Sequence, residues 1–380
     1  MDPEDFTLIR KQLQRFVREQ VIPREDDIET SGRVPDDLRR QAADMGLFGF
    51  SIPQEYGGLG LTMTEEVQLA FEIGRTTPAF RTIFGTNTGI AGHLLVQAGS
   101  PEQCKQYLPA IASGEIIVSF ALTEPDAGSD PAALQTTARR EGDSFVLNGT
   151  KRYITNAPVA DLFVVFARTS GSRGDTSGIS AFLVDATTPG IVVGPPDVKM
   201  GQSGAPSAEV YFTDVTVPAS SLVGEEGTGF RAAMRVLSRG RLHIAAICVG
   251  LADRLVDESV AFAVNRSQFG KRIGDHQLVQ GMLADSKTEA FAGRSMVLEA
   301  ARIYDDGRSD RVLNACCKYF CSEMLSRVAD RAVQIHGGMG YMRGVAVERL
   351  YRDSRLFRIY EGTSQIQQVI IAKGLLDAAS

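Results

Sequence analysis

Apolar residues recur every three or four positions through the first third of the chain, the spacing that places them on one face of an α-helix. Phe6, Leu13 and Phe16 follow this period, and the prolines that flank the segment predict a helix over 6–21. Further helices are predicted over 36–45, 64–75 and 101–112. We therefore expect residues 1–117 to form an all-helical N-terminal domain.

The pattern then changes to short apolar or alternating runs that end at Gly, Pro, Asp or Asn, which are typical of β-strands. The predicted strands cover residues 116–120, 144–149, 162–167, 179–184, 190–193 and 209–217. Strands this short and this closely spaced favour antiparallel pairing. We expect residues 118–226 to form a small, mostly antiparallel, barrel-like β domain.

Helical periodicity returns after residue 227 and persists over 227–266, 276–304 and 309–334. Helices of this length usually pack against one another as a bundle. Residues 227–380 are therefore expected to form a C-terminal helical domain. The chain as a whole is predicted to be an α+β protein with a helical, a β and a second helical domain in that order.

Length, charge and cysteine content narrow the class of protein. At 380 residues the chain is longer than the roughly 250–300 residues at which a single core stops growing. The net charge is -6 and no long basic run occurs, which argues against a nucleic-acid partner. No apolar stretch of about 18 residues predicts membrane insertion. Five cysteines without a CxxC pair, and an acidic start, favour the cytoplasm, or the mitochondrial matrix if a transit peptide has been removed.

Two familiar cofactor-site patterns fail in this sequence. The four histidines lack metal-ligand spacing, and Cys316, Cys317 and Cys321 are expected to pack within a helix. The glycine cluster at 337–340 does not complete a GxGxxG motif, because Arg343 stands where the third glycine is required, and no predicted strand precedes the cluster. The sequence therefore predicts neither a metal site nor a Rossmann dinucleotide site.

Several segments carry a specific resemblance to one protein family. Residues 121–130 (Ala-Leu-Thr-Glu-Pro-Asp-Ala-Gly-Ser-Asp) resemble the flavin-binding signature of acyl-CoA dehydrogenases, and residues 358–367 (Arg-Ile-Tyr-Glu-Gly-Thr-Ser-Gln-Ile-Gln) resemble their catalytic segment. Residues 151–156, 265–271 and 334–341 resemble further family elements in the expected order. The resemblance implies the acyl-CoA dehydrogenase fold with a C-terminal four-helix bundle. It also implies FAD, an acyl-CoA substrate, an electron-transfer flavoprotein as acceptor, and a homotetramer built as a dimer of dimers.

The resemblance implies a reaction in which an α proton and a β hydride leave a saturated acyl-CoA thioester, giving the 2-enoyl-CoA. Glu361 matches the family's base, and the flavin N5 takes the hydride. A carboxylate becomes basic enough for a carbon acid when burial raises its pKa. The alternative for Glu361 is a solvated glutamate at a helix start. Some relatives carry the base on an earlier helix, at the position of Gly240, and a glycine cannot take a proton.

The resemblance also assigns substrate and cofactor contacts. Arg241 matches an arginine beside the catalytic glutamate, with a surface ion pair as the alternative, and Ser129 and Gly362 match substrate-binding positions. Many relatives carry Trp where Tyr153 stands, and this chain contains no Trp. One group of the FAD positions holds the adenosine half across a subunit interface in the family, namely Arg266, Gln277, Gln334 and Gly338. The remaining implied FAD contacts are Leu122, Thr123, Ser129, Tyr153, Thr155, Thr363 and Gln365.

Arg81 stands alone as a charge in an apolar stretch that continues to Ile90. In glutaryl-CoA dehydrogenase a similar segment supplies the arginine that binds the distal carboxylate of the acyl group. We therefore hypothesise that Arg81 binds an anionic tail at the far end of a short acyl chain. Gly74 stands where the glutaryl enzyme has an acidic residue, which argues against decarboxylation. Desulfinases of this fold also resemble the region, and the structural alternative is that Arg81 pairs with Glu72 or with a helix end.

Other classes of protein share the implied architecture. Acyl-CoA oxidases and flavin monooxygenases react with oxygen, and the presence of Glu361 argues against a monooxygenase, whereas nothing in the segment separates a dehydrogenase from an oxidase. A non-enzymatic relative would use the fold for binding or assembly. Such a relative is expected to lose the base or the flavin contacts, and this sequence has lost neither.

Overall fold

The structure, a computed structural model, describes residues 1–308 and 310–379. Helix starts in the N-terminal region follow from side-chain caps: the Asp2 carboxylate accepts the Glu4 N–H at 2.8 Å, and Ser100 and Thr62 each form a capping box. The N-terminal helices are α1 Pro3–Phe16, α2 Glu25–Ser31, α3 Asp36–Asp44, α4 Met63–Ile73, α5 Pro78–Gly85, α6 Gly92–Ala98 and α7 Pro101–Ser113. A π-helical turn, Thr86–Ala91, joins α5 to α6.

The middle region is a single sheet of eight strands. The strands are β1 Val118–Ala121, β2 Thr137–Glu141, β3 Ser144–Thr155, β4 Leu162–Arg168, β5 Ile179–Asp185, β6 Ile191–Val193, β7 Ser207–Pro218 and β8 Leu222–Val223. Their order is β6-β7-β3-β2-β4-β5-β8, and β1 pairs with β4. The long strands β3 and β7 pair antiparallel, with bulges that bend the ladder near Gly149 and Ile154.

The C-terminal region is a bundle of long helices. They are α8 Gly229–Asn265, α9 Gln277–Asp305, α10 Arg311–His336, α11 Ala346–Ser354 and α12 Ser364–Asp377, and a short hairpin of β9 Ser267–Gln268 and β10 Lys271–Arg272 follows α8. Helix α10 packs against α8, α9 and α12, and α8 also packs against α4. One apolar core therefore runs from the N-terminal helices into the bundle, through buried residues such as Phe80, Leu242 and Phe357.

The predicted α+β fold, with helical, β and helical regions in that order, is confirmed, but several elements differ from the prediction. The helix predicted over 6–21 ends as an α-helix at Phe16 and continues as a π-helical turn. Strand β3 extends to Thr155, β2 was not predicted, and β1 pairs with β4 in parallel. The predicted start of a helix at Ser309 lies outside the described residues. The domain limits 1–117, 118–226 and 227–380 stay predictions.

Helices α2, α5, α6, α11 and α12 were also missed. Helix α5 begins at Pro78, where the Thr77 hydroxyl accepts the Ala79 N–H and proline has no N–H to leave unpaired. The small residues of the π-helical turn that follows carry no helical period, which hid this part of the chain from pattern analysis. Arg81 lies on α5.

Candidate active site

Glu361 lies in a tight turn between the end of α11 and the start of α12. Its φ is +53°, a left-handed conformation that is unfavourable for a residue with a side chain, and Gly362 follows with a φ of +90°. Two buried side chains hold this turn. The Lys318 Nζ donates to the Gly362 carbonyl at 2.7 Å, and the Gln367 amide donates to the carbonyls of Gly362 at 2.9 Å and of Glu361 at 3.3 Å. The turn therefore fixes the direction of the Glu361 side chain.

The Glu361 carboxylate is buried, with 8% of its side chain exposed. One oxygen, Oε1, lies 3.9 Å from Nη2 of Arg81. The other, Oε2, has no hydrogen-bond partner among the described residues. A β-carbon placed on Gly240 of α8 would lie 2.8 Å from Oε2, so the carboxylate occupies the space that a side chain at this position would need. The alternative of a solvated glutamate is wrong.

Opposing influences act on the acidity of Glu361. Burial raises the pKa of its carboxyl group, because the charged form loses water, and the cations of Arg81, Lys318 and Arg241 lower it. Together these influences leave the pKa of the Glu361 carboxyl group above its ordinary value. Arg241 is itself buried and its Nε has no partner among the described residues, so the surface ion pair considered for it is wrong. Three buried cations thus surround one carboxylate.

Arg81 projects from α5 into this cluster, and its residue is 7% exposed. Its guanidinium packs over the helix backbone, since a β-carbon on Gly85 would lie 2.6 Å from Nε, and Nε has no hydrogen-bond partner among the described residues. The ion-pair partner of Arg81 is Glu361 and not Glu72. The alternative pairing with Glu72 is therefore wrong.

The start of α5 is held by a buried hydrogen-bond network. The Thr77 hydroxyl donates to the Asp353 carboxylate at 2.9 Å, and the Thr77 N–H donates to the Glu25 carboxylate at 2.9 Å. Glu25 in turn accepts from Nη2 of Arg349 at 2.8 Å. These contacts tie α5 to α2 and to α11, which leads directly to the Glu361 turn. The network thereby sets the separation between Arg81 and Glu361.

Strand β3 joins the same cluster through the residue that follows it. The Asn156 amide donates to the Thr82 carbonyl and to the Thr86 hydroxyl, each at 2.9 Å. Asn156 has a φ of +63°, a conformation that asparagine tolerates better than most residues. The end of β3, including Thr155, is thus fixed beside the helix that carries Arg81.

A buried ion pair fixes the loop that was matched to the flavin-binding signature. The Lys151 Nζ lies 2.8 Å from the Glu124 carboxylate and 3.2 Å from the Leu122 carbonyl, to which it donates. Glu124 also accepts the N–H groups of Gln135 and Thr136. The Arg152 N–H donates to the Thr123 carbonyl at 2.9 Å. Two of the segments quoted from the sequence, 121–130 and 151–156, are therefore bonded to each other.

The residues around this loop have the chemistry that a flavin ring requires. Tyr153 is 61% exposed and has a φ of +57°, so its aromatic ring stands out from the end of β3. Leu122 and Thr123 lie on the facing loop, held by the bonds to Lys151 and Arg152. Thr155 ends β3, where it pairs with Ser207 of β7, and its hydroxyl is a hydrogen-bond donor. An exposed aromatic ring close to two threonine side chains fits FAD.

The other predicted cofactor residues are not brought to Glu361 by any contact among the described residues. Arg266, Gln277, Gln334 and Gly338 are exposed at one end of the bundle, where Phe262 and His336 stack with centroids 4.3 Å apart. Ser129 is exposed on the signature loop. Closer to Glu361, Thr363 caps α12 by accepting the Ile366 N–H at 3.2 Å, and Gln365 is exposed.

The residues that position the site were not predicted from the sequence. Lys318 and Gln367 hold the Glu361 turn, and Glu124 with Lys151 holds the signature loop. Lys318 carried one readable signal, since it is a lysine in the apolar run 315–321 and lysines are rarely fully buried without a partner. Gln367 and the Glu124–Lys151 pair lay inside matched segments, but their roles depend on contacts between distant parts of the chain.

Within residues 1–308 and 310–379, no group of three or more His, Cys, Asp and Glu side chains stands close enough to hold a metal ion. In the same part of the chain, no helix combines the length and the hydropathy that crossing a bilayer requires.

Comparison with known proteins covers nearly the whole chain. The profiles of the acyl-CoA dehydrogenase N-terminal, middle and C-terminal domains match residues 3–115, 119–215 and 227–376. The chain is 39% identical over 373 residues to the 3-(aryl)acrylate reductase of Clostridium sporogenes, covering 98% of this chain and 99% of that protein. It is 39% identical to a subunit of the caffeyl-CoA reductase-Etf complex of Acetobacterium woodii, covering 98% of each, and 38% identical to an acyl-CoA dehydrogenase of Bacillus subtilis, also covering 98% of each.

Solved structures agree with these sequence matches. Butyryl-CoA dehydrogenase from Megasphaera elsdenii superposes with a TM-score of 0.94 at 32% identity, covering 98% of each chain. A glutaryl-CoA dehydrogenase with glutaryl-CoA superposes with a TM-score of 0.94 at 33% identity, covering 99% of this chain and 96% of that one. Sequence and fold together show that the chain belongs to the acyl-CoA dehydrogenase family of FAD-dependent oxidoreductases.

Proposed function

We propose that this protein oxidises a short acyl-CoA thioester to the 2-enoyl-CoA, with Glu361 as the base that removes the α proton. The observation that carries the proposal is the state of the Glu361 carboxylate, which is buried, is held by a strained turn and has no hydrogen-bond partner for Oε2 among the described residues. A base in this condition has a raised pKa and a free lone pair for a carbon-bound proton.

The surrounding residues and the cofactor are proposed to orient the base, to accept the hydride and to stabilise the enolate. Bound FAD supplies the acceptor for the β hydride. Lys318 and Gln367 keep the Glu361 turn in one conformation, so that the carboxylate does not reorganise during proton transfer. The Glu361 backbone N–H is the proposed donor to the thioester oxygen, with Gly362 beside it, and Arg241 adds positive charge near the developing enolate. Ser129 is proposed to contact the CoA portion.

Charge around the base favours an anionic group on the substrate. Arg81, Lys318 and Arg241 all act on the single carboxylate of Glu361, and burying charge without compensation is costly. An anion beside Arg81, whose Nε is unpaired, would offset this excess. Because Arg81 lies 3.9 Å from the base, the acyl chain that carries this anion must be short. Gly74 packs against the α8 backbone at Ile247 and supplies no carboxylate.

The cofactor residues are assigned in two groups. We propose that Leu122, Thr123, Tyr153 and Thr155 contact the flavin ring, with Thr363, Gln365 and Ser129 nearby. Arg266, Gln277, Gln334 and Gly338 are proposed to hold the adenosine half of an FAD bound mainly by a neighbouring subunit. The exposed apolar residues at the same end of the bundle support such a subunit contact: Phe269 is 95%, Leu278 86% and Tyr341 84% exposed.

Further proposals concern assembly, acceptor and location. We propose a homotetramer with domain limits at 117/118 and 226/227. An electron-transfer flavoprotein is the proposed acceptor, supported by the relative that is part of a complex with Etf. All five cysteines are free thiols, which supports a reducing compartment such as the cytoplasm.

The same residues support the reverse reaction, and the names of two relatives favour it as a second candidate. Those relatives are reductases of unsaturated acids or thioesters. By microscopic reversibility, a Glu361 that removes a proton from Cα also returns one to it. The direction then depends on the partner that exchanges electrons with the flavin.

The test is an anaerobic spectroscopic titration of the purified flavoprotein. Bleaching of the oxidised flavin by butyryl-, succinyl- or glutaryl-CoA, with formation of the enoyl product, is the expected result. Stronger bleaching by the dicarboxylic thioesters supports the anionic tail. If oxygen reoxidises the reduced flavin as fast as an electron-transfer flavoprotein does, the protein is an oxidase. If a thioester that ends in a sulfinate group releases sulfite, the protein is a desulfinase. No bleaching by any saturated thioester, together with oxidation of the reduced flavin by enoyl thioesters, would assign the protein to the reductases.

A further inference from the structure

His243 lies inside the protein with no polar contact for its ring. It is 2% exposed, and neither Nδ1 nor Nε2 has a hydrogen-bond partner among the described residues. The ring stacks on Phe50 with the centroids 5.5 Å apart and the planes 19° apart. Burial of two unpaired ring nitrogens is unfavourable, so an apolar residue would serve better here if packing were the only role of this position.

His243 lies on the face of α8 that is turned toward the Glu361 carboxylate. Gly240 and His243 are three positions apart on α8 and so lie on one face of the helix. Gly240 is the residue that meets the Glu361 carboxylate. On the facing side, Phe50 contacts Phe84 with centroids 6.5 Å apart, and Phe84 follows Arg81 by three positions on α5. His243 and Arg81 therefore approach each other from two helices, closely enough for the Arg81 cation to lower the pKa of the imidazole.

The electrostatic surroundings of His243 and Arg81 favour one class of ligand. Burial and the cations of Arg81 and Arg239 hold the pKa of His243 well below its ordinary value, so the imidazole is neutral. A neutral imidazole offers one N–H donor. Arg239 forms a buried ion pair with Glu66, whereas Arg81 contacts Glu361 through Nη2 and its Nε has no hydrogen-bond partner among the described residues. A donor close to a guanidinium that keeps one N–H unused suits an anionic oxygen group better than a methyl group.

We propose that His243 determines specificity together with Arg81, by donating a hydrogen bond to an anionic group at the far end of the acyl chain. This inference rests on the proposed function, because it places the acyl chain between Glu361 and α5. It assigns the recognition of the tail to two residues on different helices, one charged and one neutral.

The experiment compares two product-type ligands on the oxidised holoprotein, where no turnover occurs. Crotonyl-CoA ends in a methyl group and glutaconyl-CoA in a carboxylate, and their dissociation constants are measured by calorimetry. The wild type is expected to bind glutaconyl-CoA more tightly. His243→Phe, which keeps an aromatic ring on Phe50, is expected to weaken glutaconyl-CoA about tenfold and to leave crotonyl-CoA unchanged. His243→Gln, which keeps a donor, is expected to retain most of the preference.

Two results would overturn the inference. Equal affinity of the wild type for the two ligands would do so without any variant, so the conclusion does not depend on whether His243→Phe folds. Equal weakening of both ligands in His243→Phe would show a packing role only. Flavin bleaching by saturated thioesters is recorded on the same samples: its absence refutes the proposed function, whereas bleaching with equal ligand affinities refutes only the role of His243.

Discussion

A β-carbon on Gly240 would stand 2.8 Å from the Oε2 atom of Glu361, so the carboxylate fills the space beside α8 that any larger residue would occupy. Gly240 also matches the position at which the family resemblance places the base of some relatives. In this protein the helix supplies space and the C-terminal turn supplies the carboxylate. The two positions are therefore coupled, and a side chain at one restricts the other.

The variant Gly240→Ala tests this coupling, because it is expected to change activity without lowering stability. Alanine favours a helix over glycine by about 1 kcal/mol, so the thermal midpoint is expected not to fall, while the displaced carboxylate lowers kcat/KM by up to about 100-fold. Gly281→Ala on α9 is the matched control, because its β-carbon would meet no atom within 4 Å. Full activity in Gly240→Ala would contradict the close contact.

Arg81 is expected to set the pH dependence of the base. Its cation lowers the pKa of the Glu361 carboxyl group, so Arg81→Met should raise that pKa and move the acid limb of kcat/KM to higher pH. The substrate is butyryl-CoA, whose methyl end makes no ionic contact with Arg81. Arg81→Lys keeps the charge and should leave the limb in place. A limb that stays in place in Arg81→Met would show that Arg81 does not act on the base.

The buried Lys151–Glu124 pair is expected to support both stability and flavin binding. Lys151→Met leaves the Glu124 charge buried with only backbone donors, which is expected to cost about 3–5 kcal/mol and to loosen the loop at Leu122 and Thr123. The measurements are the thermal midpoint and the flavin-to-protein ratio. Arg15→Met, which breaks an exposed pair with Glu19, is the control and should change neither. Unchanged flavin content in Lys151→Met would refute the link between the pair and the cofactor loop.

Lys318 is expected to make stability depend on pH in alkaline solution. Burial lowers its pKa from 10.5 to about 8 in the folded protein. Between these values the unfolded chain binds the proton more strongly, so stability rises as the pH rises from about 8 to about 10.5. The difference in thermal midpoint between wild type and Lys318→Met should therefore shift in favour of the wild type across this window. A constant or opposite shift would contradict the burial of a charged lysine beneath the Glu361 turn.

The sequence predicted the fold where the pattern is local and periodic. Long amphipathic helices such as α8 and α10 were placed to within a few residues, because a sustained period of 3.6 depends only on neighbouring positions. The parallel pairing of β1 with β4 was not predicted, since it depends on contacts between distant segments. Helix α5 was missed because its apolar residues run together and small residues follow it.

Individual residues of the candidate site could be singled out from the sequence, but the contacts between them could not. Glu361 and Arg81 were singled out separately, one from a matched segment and one as a lone charge in an apolar stretch. Their ion pair was not predicted, because it joins two regions that only the folded core brings together. Lys318 and Gln367 hold the Glu361 turn through bonds to backbone carbonyls, and His243 is distinguished only by its burial; a sequence pattern records neither property.

The most direct test of the account is the rate of flavin reduction by the best thioester in Glu361→Gln, measured by anaerobic stopped-flow absorbance. Glutamine keeps the size of the side chain and removes the base, so the flavin should remain bound while its reduction slows by about 100- to 10,000-fold. Reduction at the wild-type rate in a variant that retains its flavin would contradict the assignment of Glu361 as the base.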